Sequence, residues 1–345
     1  MNFLPVMSRV KAKLRPPLLL LDIAAEVREL EPGSKFELRP PISLPNELDR
    51  VTIFEGDANF QVERLSAEVQ VEGPTVSYRL PNALLADFTI YCGGRHSVLR
   101  FGMKRPVIIG SADQFDEAQL CTTSCAQQYF GHFLREALPL ELLAQQRGIT
   151  PLTFDGNLWI HEAGYRSLVG MTAMKTTFAS VQNLWITDER ALNGGWVSRF
   201  ETLRARVRAK ATPGDGAPVF LKRGRLAMGR SLTNEDQVAE MLVSNGFNII
   251  EPEEMSAADI ASVLCSARLV VCVEGSAQQH AFVAMPTGST FLSIQPANRF
   301  NTIGRVIADR IGIQFAYVVA DPVGMDCQLD LSRLRKTLDL LQWGL

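Results

Sequence analysis

Leu269-Val270-Val271-Cys272-Val273-Glu274-Gly275-Ser276-Ala277 is five apolar residues in a row, then a turn of small residues, then the opening of a helical stretch over 277–284. A short unbroken apolar run closed by turn residues reads as a strand buried on both faces, which is the strand of a parallel sheet. The same unit recurs outward in both directions. Val219–Leu221 and 247–250 precede it, and 290–294 and 315–319 follow it, each a short apolar strand. Helical patterns fill the gaps. Residues 234–245 put Val238, Met241 and Leu242 on one face, and 256–267 put Ile260, Val263 and Leu264 on another. Ser256 with Asp259 three residues on resembles a capping box, and two further helices are expected around 305–310 and over 329–341. Strands alternating with helices at this spacing imply a doubly wound α/β sheet.

Toward the N-terminus the rhythm weakens. Pro213-Gly214-Asp215-Gly216 is the strongest linker signal, so a boundary is expected near 212. Before it, Phe130, Phe133, Leu134, Ala137 and Leu138 form the stripe of an amphipathic helix, which Pro139 should kink. Residues 158–161 and 184–187 read as buried strands and 197–211 as a helix. Up to about residue 110 short alternating runs, such as Val51 with Ile53, Val69 with Val71, and Val76 with Tyr78 and Leu80, are broken by Pro and Gly, which suggests a β-rich region. The expected organisation is therefore 1–110, 111–212 and 213–345.

Composition narrows the function. The 345 residues are 46% hydrophobic and 21% charged with a net charge of −2, which excludes a disordered chain and a purely electrostatic partner such as nucleic acid. Six cysteines without short repeated spacing argue against a disulfide framework and for a reducing compartment. Cys121, Cys125 and His132 lack the second pair a structural zinc site needs, so no metal is expected. The apolar run Leu18 to Leu21 is too short to cross a membrane, and the Arg9, Lys11, Lys13, Arg15 arm ahead of it is read as a solvated arm, with weak attraction to anionic lipid as the alternative.

Three patterns carry chemistry. Between Arg199 and Arg230 nine basic residues face two acids, which points to an anionic partner. The part up to Lys210 is expected to be a solvated helical face. Lys222, Arg223 and Arg225 instead follow directly on a buried strand, where guanidinium groups can grip phosphate oxygens in pairs. Second, Glu274, Gly275 and Ser276 form a strand-to-helix turn suited to an anion, with His280 on the helix behind it. Neither a Gly-x-Gly-x-x-Gly fingerprint nor a Walker loop is present. Third, His132 and Glu136 stand four residues apart on one helical side, an arrangement in which a carboxylate can support a histidine base.

These three blocks carry a resemblance. Tyr129-Phe130-Gly131-His132-Phe133-Leu134-Arg135-Glu136-Ala137-Leu138-Pro139 resembles the Tyr-x-His-Trp-Leu-x-Glu-x-Leu-Pro motif of glycosyltransferase family 61, also described as capsular polysaccharide biosynthesis proteins. Phe220-Leu221-Lys222-Arg223-Gly224-Arg225 with Asn234-Glu235, and Glu274-Gly275-Ser276-Ala277 through His280, Pro286 and Gly288-Ser289, resemble its later blocks, in the same order. Lys222 stands where Ser is usual, Phe133 where Trp is, and one extra residue separates Tyr129 from His132. The resemblance implies a GT-B architecture of two Rossmann-like domains with a β-rich N-terminal region. It also implies inverting transfer of a sugar from a nucleotide-sugar donor to a glycan acceptor, and the cysteine usage sets the expected location as cytoplasmic. His132 would be the base and Glu136 its orienter. Arg223, Arg225, Glu274, Gly275, Ser276 and His280 would form the donor site. No cofactor and no Asp-x-Asp metal motif accompany these residues. The alternatives within the fold are a nucleotide-sugar epimerase or hydrolase, and outside catalysis a glycan-binding pseudo-enzyme.

Overall fold

The computed structural model describes residues 20–100, 111–156, 159–223 and 231–343. The basic arm at 9–15, Arg225 and Arg230 lie outside the described residues. The chain divides into two compact units, Met1–Ser34 with Glu72–Phe200, and Lys35–Val71 with Glu201–Leu345.

The first unit is built on an eight-stranded mixed sheet. Its strands are β1 (Glu26–Glu31), β4 (Thr75–Ala86), β5 (Thr89–Cys92), β6 (Arg95–Val98), β7 (Asp113–Leu120), β8 (Thr150–Phe154), β9 (Met174–Thr176) and β10 (Phe178–Asp188), in the order β6-β5-β4-β10-β7-β8-β9 with β1 also on β4. The short strands β2 (Ser34–Glu37) and β3 (Val69–Glu72) pair separately. β10, β7, β8 and β9 run parallel, whereas β4 pairs β10 antiparallel from Val76 opposite Asp188 to Ala86 opposite Phe178. The β-rich stretch thus extends the same sheet, because the apolar residues of β4 and β10, among them Leu80, Leu85, Val181 and Leu184, share one core. From β7 the chain steps outward through β8 and β9, then returns to the other side of β7 as β10. Strand order reverses between β7 and β10.

Two local expectations are corrected here. Residues 159–161 form a bend and turn rather than a strand, and the helix Glu162–Val169 follows. The Trp159 indole donates to Ala126 O at 3.2 Å, so the apolar character of this stretch serves loop packing. Residues 51–53 are not a strand either, and the helix Ala58–Ser66 follows them, capped by Asp57 accepting from Phe60 N at 2.8 Å.

The second unit carries β11 (Val219–Leu221), β12 (Asn248–Ile250), β13 (Leu269–Val273), β14 (Thr290–Pro296), β15 (Gln314–Val323) and β16 (Asp326–Gln328), in the order β12-β11-β13-β14-β15-β16. All neighbours are parallel except β15 with β16. The expected strand–helix alternation is present, with helices at Glu235–Val243, Ala257–Leu264, Gln278–Ala284, Ile303–Arg310 and Leu331–Leu340. Ser256 does cap its helix, accepting from Asp259 N at 3.1 Å. β12 lies on one side of β11 and β13 on the other, so strand order reverses beside β11.

Segment 35–71 is stitched onto this unit by buried polar side chains. The Arg305 guanidinium donates to the carbonyls of Arg39, Arg64, Leu65 and Ala67, closing the C-terminal end of helix Ala58–Ser66. Glu47 is fully buried, accepts from Val319 N at 2.7 Å and pairs with Arg333. The helix expected to be a solvated face, Gly194–Lys210, is one only toward its C-terminal end, where Lys210 is exposed. Arg199 and Arg204 are 2% and 0% exposed. Arg199 is clamped by Glu31 and Glu189, while Arg204 donates to the carbonyls of Phe282 and Met285, at the end of helix Gln278–Ala284 where partial negative charge gathers.

Candidate active site

In the first unit the polar cluster grows from the loop after β7. Pro139 has no N–H, so the Arg135 carbonyl loses its regular helical donor. The helix responds with a π turn over Phe133–Ala137, in which Leu138 N donates to Phe133 O, and the Trp196 indole donates to Arg135 O at 2.9 Å. The kink expected at Pro139 is therefore a π turn with its orphaned carbonyl satisfied by a side chain. It directly follows His132 and contains Glu136.

His132 Nδ1 lies 2.5 Å from Glu136 Oε1, and Thr123 Oγ1 donates to Glu136 Oε2 at 2.6 Å. Thr123 is itself held by Ala126 N, which donates to its hydroxyl at 3.0 Å. With Nδ1–H donating to the carboxylate, the neutral imidazole presents Nε2 as acceptor. Arg135 Nη2 is 3.1 Å from both ring nitrogens, which places it over the ring face, since in the ring plane it would collide with Cε1. Burial alone would raise the Glu136 carboxyl, but His132, Arg135 and Thr123 outweigh it and hold the group below the usual carboxylate range. Glu136 is thus an ionised carboxylate inside protein. Arg190, one residue past Glu189 at the end of β10, is forked onto Asp188 at 2.8 and 2.6 Å, and its charge is further favoured by Glu136. The cluster therefore sits at the carboxyl ends of β7 and β10, where strand order reverses.

The other expected cluster is assembled within the second unit. Leu221 is in register with Cys272, so Arg223 and the Glu274-Gly275 turn leave adjacent parallel strands side by side. Arg223 Nη1 donates to Glu274 O at 2.6 Å, and Arg223 N donates to Glu235 Oε1 at 3.1 Å. Gly275 has φ +145°, and a Cβ there would lie 2.3 Å from Arg223 Nη1. The room that glycine leaves is filled by a guanidinium group. Lys222 pairs with Glu251 at 2.7 Å and belongs to a surface ion-pair set. His280 is 2% exposed, inside the helix Gln278–Ala284 that Ser276 leads into.

Sequence reasoning brought together His132 with Glu136, and Arg223 with Gly275. It missed Thr123, Arg135 and Trp196, for which no periodic signal exists, and it did not give Glu235 its task of holding the Arg223 backbone. Asn234 exchanges hydrogen bonds with the Leu329 backbone at 2.8 and 3.1 Å and so fixes the start of the helix that carries Glu235. Among the described residues no group of three His, Cys, Asp or Glu side chains is placed to hold a metal ion, and no helix is long and apolar enough to cross a membrane. Cys121 is fully buried, and burial pushes its thiol well up, which makes it a core residue.

Each unit is an α/β layer structure whose polar side chains gather where strand order reverses, the place at which α/β enzymes hold nucleotides and substrates. Residues 130–292 match the glycosyltransferase 61 family model, a span that includes His132, Glu136, Arg223, the Gly275 turn and His280. A comparison with curated proteins found no match.

Proposed function

We propose that the protein is an inverting, GT-B-type glycosyltransferase that moves a sugar from a nucleotide-sugar donor to a glycan acceptor in cytoplasmic polysaccharide biosynthesis. The observation that supports this most is the relay from Thr123 through Glu136 to His132. It orients the ring so that the unprotonated imidazole, the form that takes a proton from an attacking hydroxyl, has Nε2 as its acceptor. The acceptor oxygen bonds to the anomeric carbon as the bond from that carbon to the diphosphate oxygen breaks. The hydroxyl proton passes to His132 Nε2, and ionised Glu136 stabilises the imidazolium that results. Attack from the face opposite the leaving group inverts the anomeric centre.

The departing diphosphate carries the developing negative charge. Arg223 and the turn Glu274-Gly275-Ser276, which leads into a helix, offer it a guanidinium and backbone amides, with His280 behind the turn as a positioning residue. With cationic side chains in this role and no Asp-x-Asp motif in the chain, transfer is read as metal-independent. The test is acceptor-dependent release of nucleoside diphosphate from a panel of nucleotide sugars, with the product anomer assigned by NMR. Inverted product supports the proposal, whereas retained configuration, or no turnover with any pair, refutes it. Donor consumption without acceptor would favour the hydrolase or epimerase alternative.

A further inference from the structure

Tyr129 precedes the helix that carries His132 and is 48% exposed, while Tyr91 and Tyr165 of the same unit are fully buried. Among the described residues of this unit it is the one large aromatic side chain left exposed. Its backbone is pinned, with Tyr129 N donating to Cys125 O at 2.8 Å and Tyr129 O accepting from His132 N at 3.1 Å. The ring centroid is 5.8 Å from that of His132, and the planes are inclined by 43°. Next to it Phe130 anchors a packed aromatic group with Trp159, His161 and Tyr165 at 6.5, 5.9 and 6.2 Å. The backbone that carries the exposed ring is therefore fixed, and the ring lies beside His132 and open to solvent.

A rigid, half-exposed aromatic face beside a base is the surface that recognises a sugar ring, whose axial C–H bonds form an apolar, weakly positive face complementary to the π cloud. Resting on the transferase reading for the role of His132, we propose that Tyr129 is a platform on which the pyranose ring of the acceptor stacks, with the attacking hydroxyl at the ring edge turned to His132. A sugar ring at van der Waals distance, about 4 Å above Tyr129, has its rim beside the imidazole 5.8 Å away. The inclination of the two rings lets one acceptor meet Tyr129 with its face and His132 with its edge. Gln127, two residues earlier, is 4% exposed, and its Oε1 has no partner within the protein. It lines a small polar cavity with Thr122, Trp159, Glu162 and Arg166, where there is room for about one water to donate a hydrogen bond to it.

The test is saturation-transfer NMR on the full chain with methyl β-D-galactopyranoside and methyl β-D-glucopyranoside as probes and the open-chain polyol mannitol as control. Wild type and Tyr129→Phe are expected to saturate the protons of one ring face. Tyr129→Leu, which keeps apolar area but has no π face, is expected to lower the signal at least about fivefold. Tyr129→Ala should do the same, and melting temperatures near that of wild type establish that both variants are folded. Equal signal in Tyr129→Leu, signal for mannitol as strong as for the pyranosides, or no pyranoside signal in the wild type would overturn the platform. Calorimetry with nucleoside diphosphates and the transfer assay read the other part separately. Pyranosides stacking on Tyr129 without any sugar transfer would sink the transferase reading and leave the sugar platform standing.

Discussion

Replacing Gly275 by Ala tests how the turn after β13 is built. The backbone there has φ +145°, where an L side chain is strained by about 1–3 kcal/mol. The new Cβ would also lie 2.3 Å from Arg223 Nη1. Since that atom is the end of a flexible chain, the guanidinium moves and the backbone stays. What is lost is the 2.6 Å bond from Arg223 to Glu274 O, worth about 1.5–3 kcal/mol for a charged donor. Gly275→Ala should therefore destabilise the protein by about 2.5–6 kcal/mol, the lower end applying if the displaced guanidinium finds water. The two costs separate in a double-mutant cycle. Arg223→Ala removes the bond alone, and in the double variant the steric part has no target, so the two effects should fall short of additivity by about 1.5–3 kcal/mol. Urea unfolding with unchanged m-values gives the four stabilities. Additivity to within about 0.5 kcal/mol would mean that Arg223 and Gly275 are energetically independent, and the packing argument would fail.

His132→Ala should lower turnover about 100-fold or more in steady-state kinetics, with nucleotide affinity little changed, and Glu136→Gln should lower it less, because it orients the base without receiving the proton. Chelator should leave turnover intact; activity abolished by EDTA and restored by manganese would contradict the metal-independent reading. Burial, reinforced by Glu31 and Asp188, pushes Glu189 up to about 7 despite Arg199. A raised carboxyl stabilises the fold fully below the unfolded value near 4.5, and that contribution is lost as pH rises through about 7, on the order of 3 kcal/mol in all. Glu189→Gln should flatten the dependence of the urea midpoint between pH 5 and 7.5. Arg305→Met removes the donor from four carbonyls, one of them fully buried, so it should cost about 3 kcal/mol or more and make segment 35–71 the first site of limited proteolysis.

What the sequence determined by itself is the alternation in the C-terminal half. Each central strand there is buried on both faces and must be apolar throughout, and each helix buries one stripe, so both patterns are complete within a few residues. For the same reason His132 with Glu136 was legible, because residues four apart on a helix meet whatever else the chain does. Elsewhere the local signal was absent. β7 begins Asp113-Gln114-Phe115-Asp116-Glu117, and only its last three residues are buried, so its polar start hides the strand that orders the first unit. The assignment of 35–71 to the second unit rests on Arg305, Glu47 and Gln61 meeting backbone or side chains about 240 to 290 residues away in sequence. Buried Arg199 and Arg204 look like any exposed basic residue until their carboxylate and carbonyl partners are known. Thr123 beneath Glu136, Trp196 on the Arg135 carbonyl and Arg223 over Gly275 were likewise decided only in three dimensions. A buried polar group is specified by its partner, and partners far apart in sequence leave no period to read.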